Sequence, residues 1–194
     1  MKKYGILGGT FNPPHTAHSI VADSVREQLK LDKIIFIPSG NPPLKESISA
    51  EHRLAMALLA FGKDRNFEVS DVEIQNAKEK SYSVNTLQKL AEFYKKDRSH
   101  FYFIIGKDNL IELPRWKEPH KLFELSEVIV INRPNYSVDV SKTLFADKVK
   151  FVNVPLLEIS SSMIRDYVLK EKSIKYLVCK EVEDYIYKNN LYRM

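Results

Sequence analysis

Apolar and polar positions change period repeatedly along this chain, and the changes predict where strands give way to helices. Residues 3–7 form a short run with no charged residue after Lys3, which predicts a buried strand. From Thr16 onward Val21, Val25 and Leu29 recur at i, i+4 and i+8, the stripe of an amphipathic helix. Residues 33–38 then carry Ile34, Ile35, Phe36 and Ile37 without interruption and stop at Pro38, a second buried strand. Residues 39–49 hold Gly40, Asn41, Pro42 and Pro43 and predict a loop able to close over a ligand. Residues 54–61 are almost continuously apolar after Ser49, which predicts a capped, buried helix. A strand is predicted at 67–72. Ser83 predicts the cap of a helix whose core face is Val84, Leu87, Leu90, Ala91 and Tyr94. Further strands are predicted at 101–105, 127–131 and 150–154, and helices at 160–170 and 175–188.

Strand and helix therefore alternate, and the fold class this predicts is α/β, a doubly wound and mainly parallel sheet with a helical C-terminal end. A strand-helix-strand unit makes a right-handed crossover, and ligands gather beyond the C-terminal ends of such strands. Gly8-Gly9 ends the first strand, and Gly106-Lys107-Asp108 follows the third strong one, which puts both turns on the same rim. No repeat, linker or low-complexity tract divides the chain, so residues 1–194 are read as a single domain with 156–194 as a helical subregion.

Composition narrows the class without changing the topology. With 194 residues, 44% of them hydrophobic and 28% charged, the chain can bury a sizeable core. Its formal charge of +5 comes from basic residues interleaved with acids rather than massed in an arm. That distribution fits a solvated, mildly basic surface better than nucleic-acid binding, and an anionic small molecule such as a nucleotide fits either way. One cysteine, Cys179, permits no disulfide or cysteine metal site within the chain and is read as a small buried residue. No apolar run approaches the ~20 residues that span a bilayer, and the first strand begins without a signal-like segment. The expectation is a cytoplasmic protein without a membrane partner, and a homo-oligomer is left open.

Candidate chemistry is concentrated near the N-terminus, in Gly8-Gly9-Thr10-Phe11-Asn12-Pro13-Pro14-His15-Thr16-Ala17-His18. Glycines let backbone N–H groups approach an oxyanion, and the start of a helix adds free donors and the positive end of its dipole. His15 and His18 share one face of that first turn. No Gly-Lys-Ser/Thr ending follows, and no third glycine opens the helix, so neither the Walker loop nor the dinucleotide fingerprint applies. The histidine spacing is i, i+3 rather than the i, i+4 of zinc proteases, and no protein metal site is predicted. Ile159-Ser160-Ser161-Ser162-Met163-Ile164-Arg165 suggests a second anion site: a helix N-terminus with hydroxyls and an arginine one turn on. Ordinary capping beside a surface arginine explains the same residues.

Taken together, these two segments resemble the signature motifs of the adenylyltransferase branch of the nucleotidyltransferase superfamily. Between them, residues 38–45, Ser81-Tyr82-Ser83-Val84-Asn85-Thr86-Leu87, Ile104-Ile105-Gly106-Lys107-Asp108, Leu113-Pro114-Arg115-Trp116 and Arg133-Pro134 resemble, in order, segments of the bacterial nicotinate-nucleotide adenylyltransferase family, as does the ending Asn190-Leu191-Tyr192-Arg193. The resemblance covers essentially the whole chain.

It implies a Rossmann-like nucleotidyltransferase fold that transfers AMP from ATP to nicotinate mononucleotide, giving nicotinate adenine dinucleotide and pyrophosphate, without a covalent intermediate. Such chemistry is mainly positioning and charge stabilisation. His15, His18 and Arg165 would be the catalytic residues. Gly8, Gly9, Thr10, Phe11, Gly106, Asp108, Ser161 and Ser162 would complete the ATP site. Ser39, Lys45, Ser83, Asn85, Thr86, Trp116 and Arg133 would form the acceptor site, with Trp116 against the pyridine ring. Mg2+ would arrive with ATP, carried by substrate oxygens. Asn12, Ala17, Leu44, Asn85 and Lys117 depart from the family's commonest residues. Nicotinamide mononucleotide or phosphopantetheine as acceptor, and a non-catalytic nucleotide- or RNA-binding protein, are the alternatives.

Overall fold

The computed structural model describes residues 1–41, 47–76, 80–132 and 143–193. Its strands are β1 (Lys3–Gly9), β2 (Lys33–Pro38), β3 (Phe67–Val69), β4 (His100–Gly106), β5 (Glu127–Ile131) and β6 (Val149–Val152). They form one sheet in the order β3-β2-β1-β4-β5-β6, with every pairing parallel. A parallel sheet needs both faces covered, which is why the central strands β1, β2, β4 and β5 read as largely apolar runs, whereas the edge strands β3 and β6 carry Glu68 and Lys150. Tyr4, Ile6, Ile35, Ile37, Phe103 and Ile105 point to one face. Leu7, Ile34, Phe36, Tyr102 and Ile104 point to the other.

The helices are wound to match. Helices α1 (Thr16–Leu29) and α2 (Ala50–Phe61) bring Ala22, Val25, Ala57 and Phe61 to the second face. Helices α3 (Ser83–Phe93), α4 (Lys107–Glu112) and α5 (Pro119–Leu125) bring Val84, Leu87, Leu90, Leu110 and Leu122 to the first. This is the doubly wound arrangement expected from the alternation of periods. The strand order reverses between β1 and β4, so a crevice opens at their C-terminal ends. Beyond β6, α6 (Ser161–Leu169) and α7 (Lys180–Lys188) pack Ile164, Val168, Val182 and Ile186 against Met56 of α2.

Several local expectations shift for physical reasons. Tyr82, not Ser83, is the N-cap of α3. The last helix starts at Lys180 rather than 175, because Lys175 is taken up by a parallel bridge to Val178 and Cys179 is the N-cap. β3 ends at Val69, and β6 begins one residue before 150. The apolar stretch of α2 is not uniformly buried: Leu58 is 49% exposed while Arg53, a charged residue, is 1% exposed. Ser49 caps this helix as expected, accepting from the His52 N–H. Among the described residues no helix is long and apolar enough to cross a membrane.

Candidate active site

The crevice at the ends of β1 and β4 holds a cleft of about 680 Å³. Its walls come from Gly8 to Asn12, His15 and His18 on one side, Gly106 and Asp108 from the end of β4, and Ser160, Ser161, Ser162 and Arg165 from the start of α6. All the residues expected at the ATP site therefore meet at one place.

The turn after β1 is built from beneath. Phe11 takes a left-handed backbone conformation, φ 48°, unfavourable for a residue with a Cβ. Its ring is held edge-on by Phe36 and Phe61, with centroids 5.9 and 5.5 Å away. Burial of that ring stabilises the turn. None of the described glycines has a positive φ, so Gly8 and Gly9 are required for space rather than for backbone freedom. A Cβ on Gly9 would stand 3.0 Å from the Phe11 ring, whereas one on Gly8 would meet no protein atom within 4 Å and would occupy the cleft itself.

His15 is the N-cap of α1. His18, at the third helical position, reaches back so that its Nδ1 accepts the His15 backbone N–H at 3.1 Å, the role a glutamate plays in a capping box. The neutral His18 ring consequently carries its proton on Nε2. The two imidazoles stack with centroids 3.7 Å apart. Burial pushes His15 down to about 4, and its Nδ1 is buried with no protein partner. Burial also holds His18 well below the ordinary histidine value; the adjacent His15 adds to this, and the backbone hydrogen bond opposes it in part. At neutral pH the ligand-free site thus offers two neutral rings as hydrogen-bond donors, and positive charge comes from Arg165 and the helix termini.

The C-terminal helices clasp the same turn. Ser160 caps α6, its Oγ accepting from the Met163 N–H at 3.2 Å, and its hydroxyl lies 3.0 Å from that of Ser162. Ser161 Oγ donates to the Pro13 carbonyl at 2.7 Å. Arg165 Nη1 donates to the Asn12 carbonyl at 2.8 Å, leaving the rest of its fork for a ligand. Tyr192 Oη donates to Asn12 Oδ1 at 2.7 Å, and the Thr16 N–H donates to the Leu177 carbonyl. Asp108 is the one carboxylate among the described residues lining the cleft, and no described cluster of three metal-ligating side chains exists.

The acceptor residues are not gathered in this way. Ser39 sits at the end of β2 with its Oγ buried and unpartnered. Asn85 and Thr86 line a separate small hollow with Tyr82, where Thr86 Oγ1 donates to Glu73 and Lys117 Nζ donates to Asn85 Oδ1 at 3.4 Å. Trp116, half-buried, packs edge-on against Phe103 of β4. Ser83 is the first residue of α3. Lys45, Arg133 and Leu44 lie outside the described residues. Arg53 and Tyr192 also hold the turn; a lone arginine beginning an apolar helix carries no periodic or spacing signal, and the resemblance of the chain's ending includes Tyr192 without giving it a role.

A switch-point cleft lined by a glycine turn, paired histidines and a serine-arginine helix start defines a nucleotide-binding α/β protein of the nucleotidyltransferase type. Residues 6–167 match the family described as Cytidylyltransferase-like. A probable nicotinate-nucleotide adenylyltransferase of Oceanobacillus iheyensis is 39% identical, covering 99% of this chain and 97% of its own. One from Syntrophotalea carbinolica is 40% identical over 98% and 97%. The Plasmodium falciparum nicotinic acid mononucleotide adenylyltransferase complexed with NaAD superposes with a TM-score of 0.81 at 26% identity, covering 99% of this chain and 98% of that one. The chain belongs to the nicotinate-nucleotide adenylyltransferase family.

Proposed function

We propose that the cleft carries out ATP-dependent adenylyl transfer to nicotinate mononucleotide, forming nicotinate adenine dinucleotide for NAD biosynthesis. The observation that carries the assignment of residues is the joining of two motifs about 150 positions apart at one turn, through Arg165 on Asn12 and Ser161 on Pro13. A triphosphate laid between the starts of α1 and α6 would have free N–H donors, two helix dipoles, Arg165 and two neutral imidazoles around it.

In the reaction a phosphate oxygen of the mononucleotide attacks the α-phosphorus of ATP. The bond from that phosphorus to the bridging oxygen breaks, and pyrophosphate leaves with the electron pair. The nucleophile is already an anion, so the protein's task is alignment and stabilisation of the charge that builds on the α-phosphoryl oxygens. His18 Nε2–H would donate there, since the bond its Nδ1 accepts leaves the ring proton on Nε2, with His15 stacked beside it. Ser161, Ser162 and Arg165 would hold the outgoing pyrophosphate, and Gly106 and Asp108 the adenosine. A divalent ion would neutralise the triphosphate. With one carboxylate in the described cleft wall, it would be held chiefly by phosphate oxygens and by Asp108 at most. Trp116, Ser83, Asn85 and Thr86 would form the acceptor half when the mononucleotide is bound; Ser39, Lys45 and Arg133 complete that proposal.

Labelled pyrophosphate separates direct transfer from a two-step route. Exchange of label into ATP should require the dinucleotide product to be present; exchange by enzyme and ATP alone would mean a covalent adenylyl-enzyme and would overturn the mechanism.

A further inference from the structure

Arg53 is a buried cation that forms no ion pair among the described residues; instead its guanidinium is solvated by four main-chain carbonyls. Nε donates to Ile48 at 3.2 Å, Nη1 to Thr10 at 3.1 Å and to Ser39, and Nη2 to Gly40 at 3.0 Å. Burying a charge is costly unless it is fully hydrogen-bonded, and an all-apolar side chain would fill this helix position at lower cost. What the charge provides is the orientation of three peptides. In a trans peptide the N–H points opposite to the C=O. The Thr10 carbonyl turned toward Arg53 therefore directs the Phe11 N–H away from it, and the nearby positive charge polarises that peptide. The Ser39 and Gly40 carbonyls turned toward Arg53 direct the Gly40 and Asn41 N–H groups the other way, where both donate to Ser81 Oγ at 3.1 Å. Ser81 returns the contact, its N–H donating to the Asn41 carbonyl at 3.2 Å. Ser81 stands just before α3, the helix that carries Ser83, Asn85 and Thr86.

We propose that Arg53 is a positioning residue for the adenylyl transfer read above: one guanidinium sets the Thr10–Phe11 peptide at the ATP end of the site and the 39–41 turn, with Ser81 and the start of α3, at the acceptor end. It touches neither substrate. It fixes the distance between the two loops that the reacting phosphates must bridge, which is where small misplacement is expensive in rate.

Arg53→Met keeps the bulk and removes the charge and all four hydrogen bonds; Arg53→Lys keeps the charge but not the fork. Met56→Ala, three residues along the same helix and packed against α6 and α7, is the control for lost stability alone. At a temperature where all fold, Arg53→Met is expected to lose at least tenfold in kcat with both substrates saturating and to raise both KM values, Arg53→Lys to fall between it and wild type, and Met56→Ala to stay within twofold. Binding of a non-hydrolysable ATP analogue, measured by calorimetry, should weaken at least fivefold in Arg53→Met and not in Met56→Ala. That reading stands even if nicotinate mononucleotide proves not to be the acceptor. Should Arg53→Met fail to fold, Arg53→Lys is read by the same two measurements. Arginine variants that match Met56→Ala in turnover and in analogue affinity would overturn the proposal.

Discussion

Arg165 Nη1 donates to the carbonyl of Asn12 at 2.8 Å, across 153 positions of sequence. One guanidinium edge fixes the turn after β1, and the remainder faces the cleft. Arg165→Ala should raise the KM for ATP by roughly 10- to 100-fold, from loss of a charged hydrogen bond of about 1.5–3 kcal/mol. Arg165→Lys should recover only part of this, since an ammonium cannot serve both the Asn12 carbonyl and a phosphate in the fork geometry. Steady-state kinetics with ATP varied checks both.

His18→Ala removes the Nε2–H donor and should lower kcat by about 10²–10³, the usual loss of a transition-state hydrogen bond. Cooperative thermal unfolding should persist, because the Phe11 ring remains held by Phe36 and Phe61. A variant with wild-type turnover would remove His18 from the catalytic role.

Protonation gives an independent test. Burial lowers His15 to about 4, so between that value and 6.5 the unfolded chain binds more protons than the folded one. Stability contributed by this group is complete above about pH 6.5 and is lost as pH falls through 4, on the order of 3 kcal/mol in total. His18 shifts in the same direction. Urea unfolding at stepped pH should give a stability that rises from pH 4 to 6.5 in wild type, with a shallower slope in His15→Asn. A bound triphosphate favours the charged imidazoles, so binding an ATP analogue near pH 5.5 should take up protons, read from calorimetric heats in buffers of different ionisation enthalpy.

Gly8→Ala separates folding from binding. The new methyl group meets no protein atom within 4 Å, and Gly8 needs no positive φ. Thermal stability should stay within about 0.5 kcal/mol of wild type. The methyl group would lie in the cleft, and overpacking of roughly 1–3 kcal/mol should appear in ATP affinity alone. Equal losses of stability and affinity would mean that the glycine serves the fold instead.

How far the sequence discloses the site follows from how local each signal is. The four central strands are legible because β1, β2, β4 and β5 are buried on both faces, and the Ser160 cap is legible because capping is decided within three residues. The roles of Arg53 and Tyr192 are not, because what makes them important is a contact with a loop that is distant in sequence. The narrow stripe of α1, built on Ala17, Ala22 and Val25 more than on Val21 and Leu29, reflects close packing on the sheet that periodicity cannot resolve. Trp116, Ser83, Asn85 and Thr86 can be picked out by resemblance, yet in the ligand-free structure they stand apart from the cleft that unites the residues proposed to hold ATP.

Pyrophosphate release by the wild-type enzyme, followed with ATP and each of three acceptors, nicotinate mononucleotide, its amide and phosphopantetheine, decides whether the cleft performs this reaction. The predicted result is pyrophosphate and nicotinate adenine dinucleotide in equal amounts, with kcat/KM highest for the nicotinate. No release with nicotinate mononucleotide, or a higher kcat/KM with either of the other two, would contradict it.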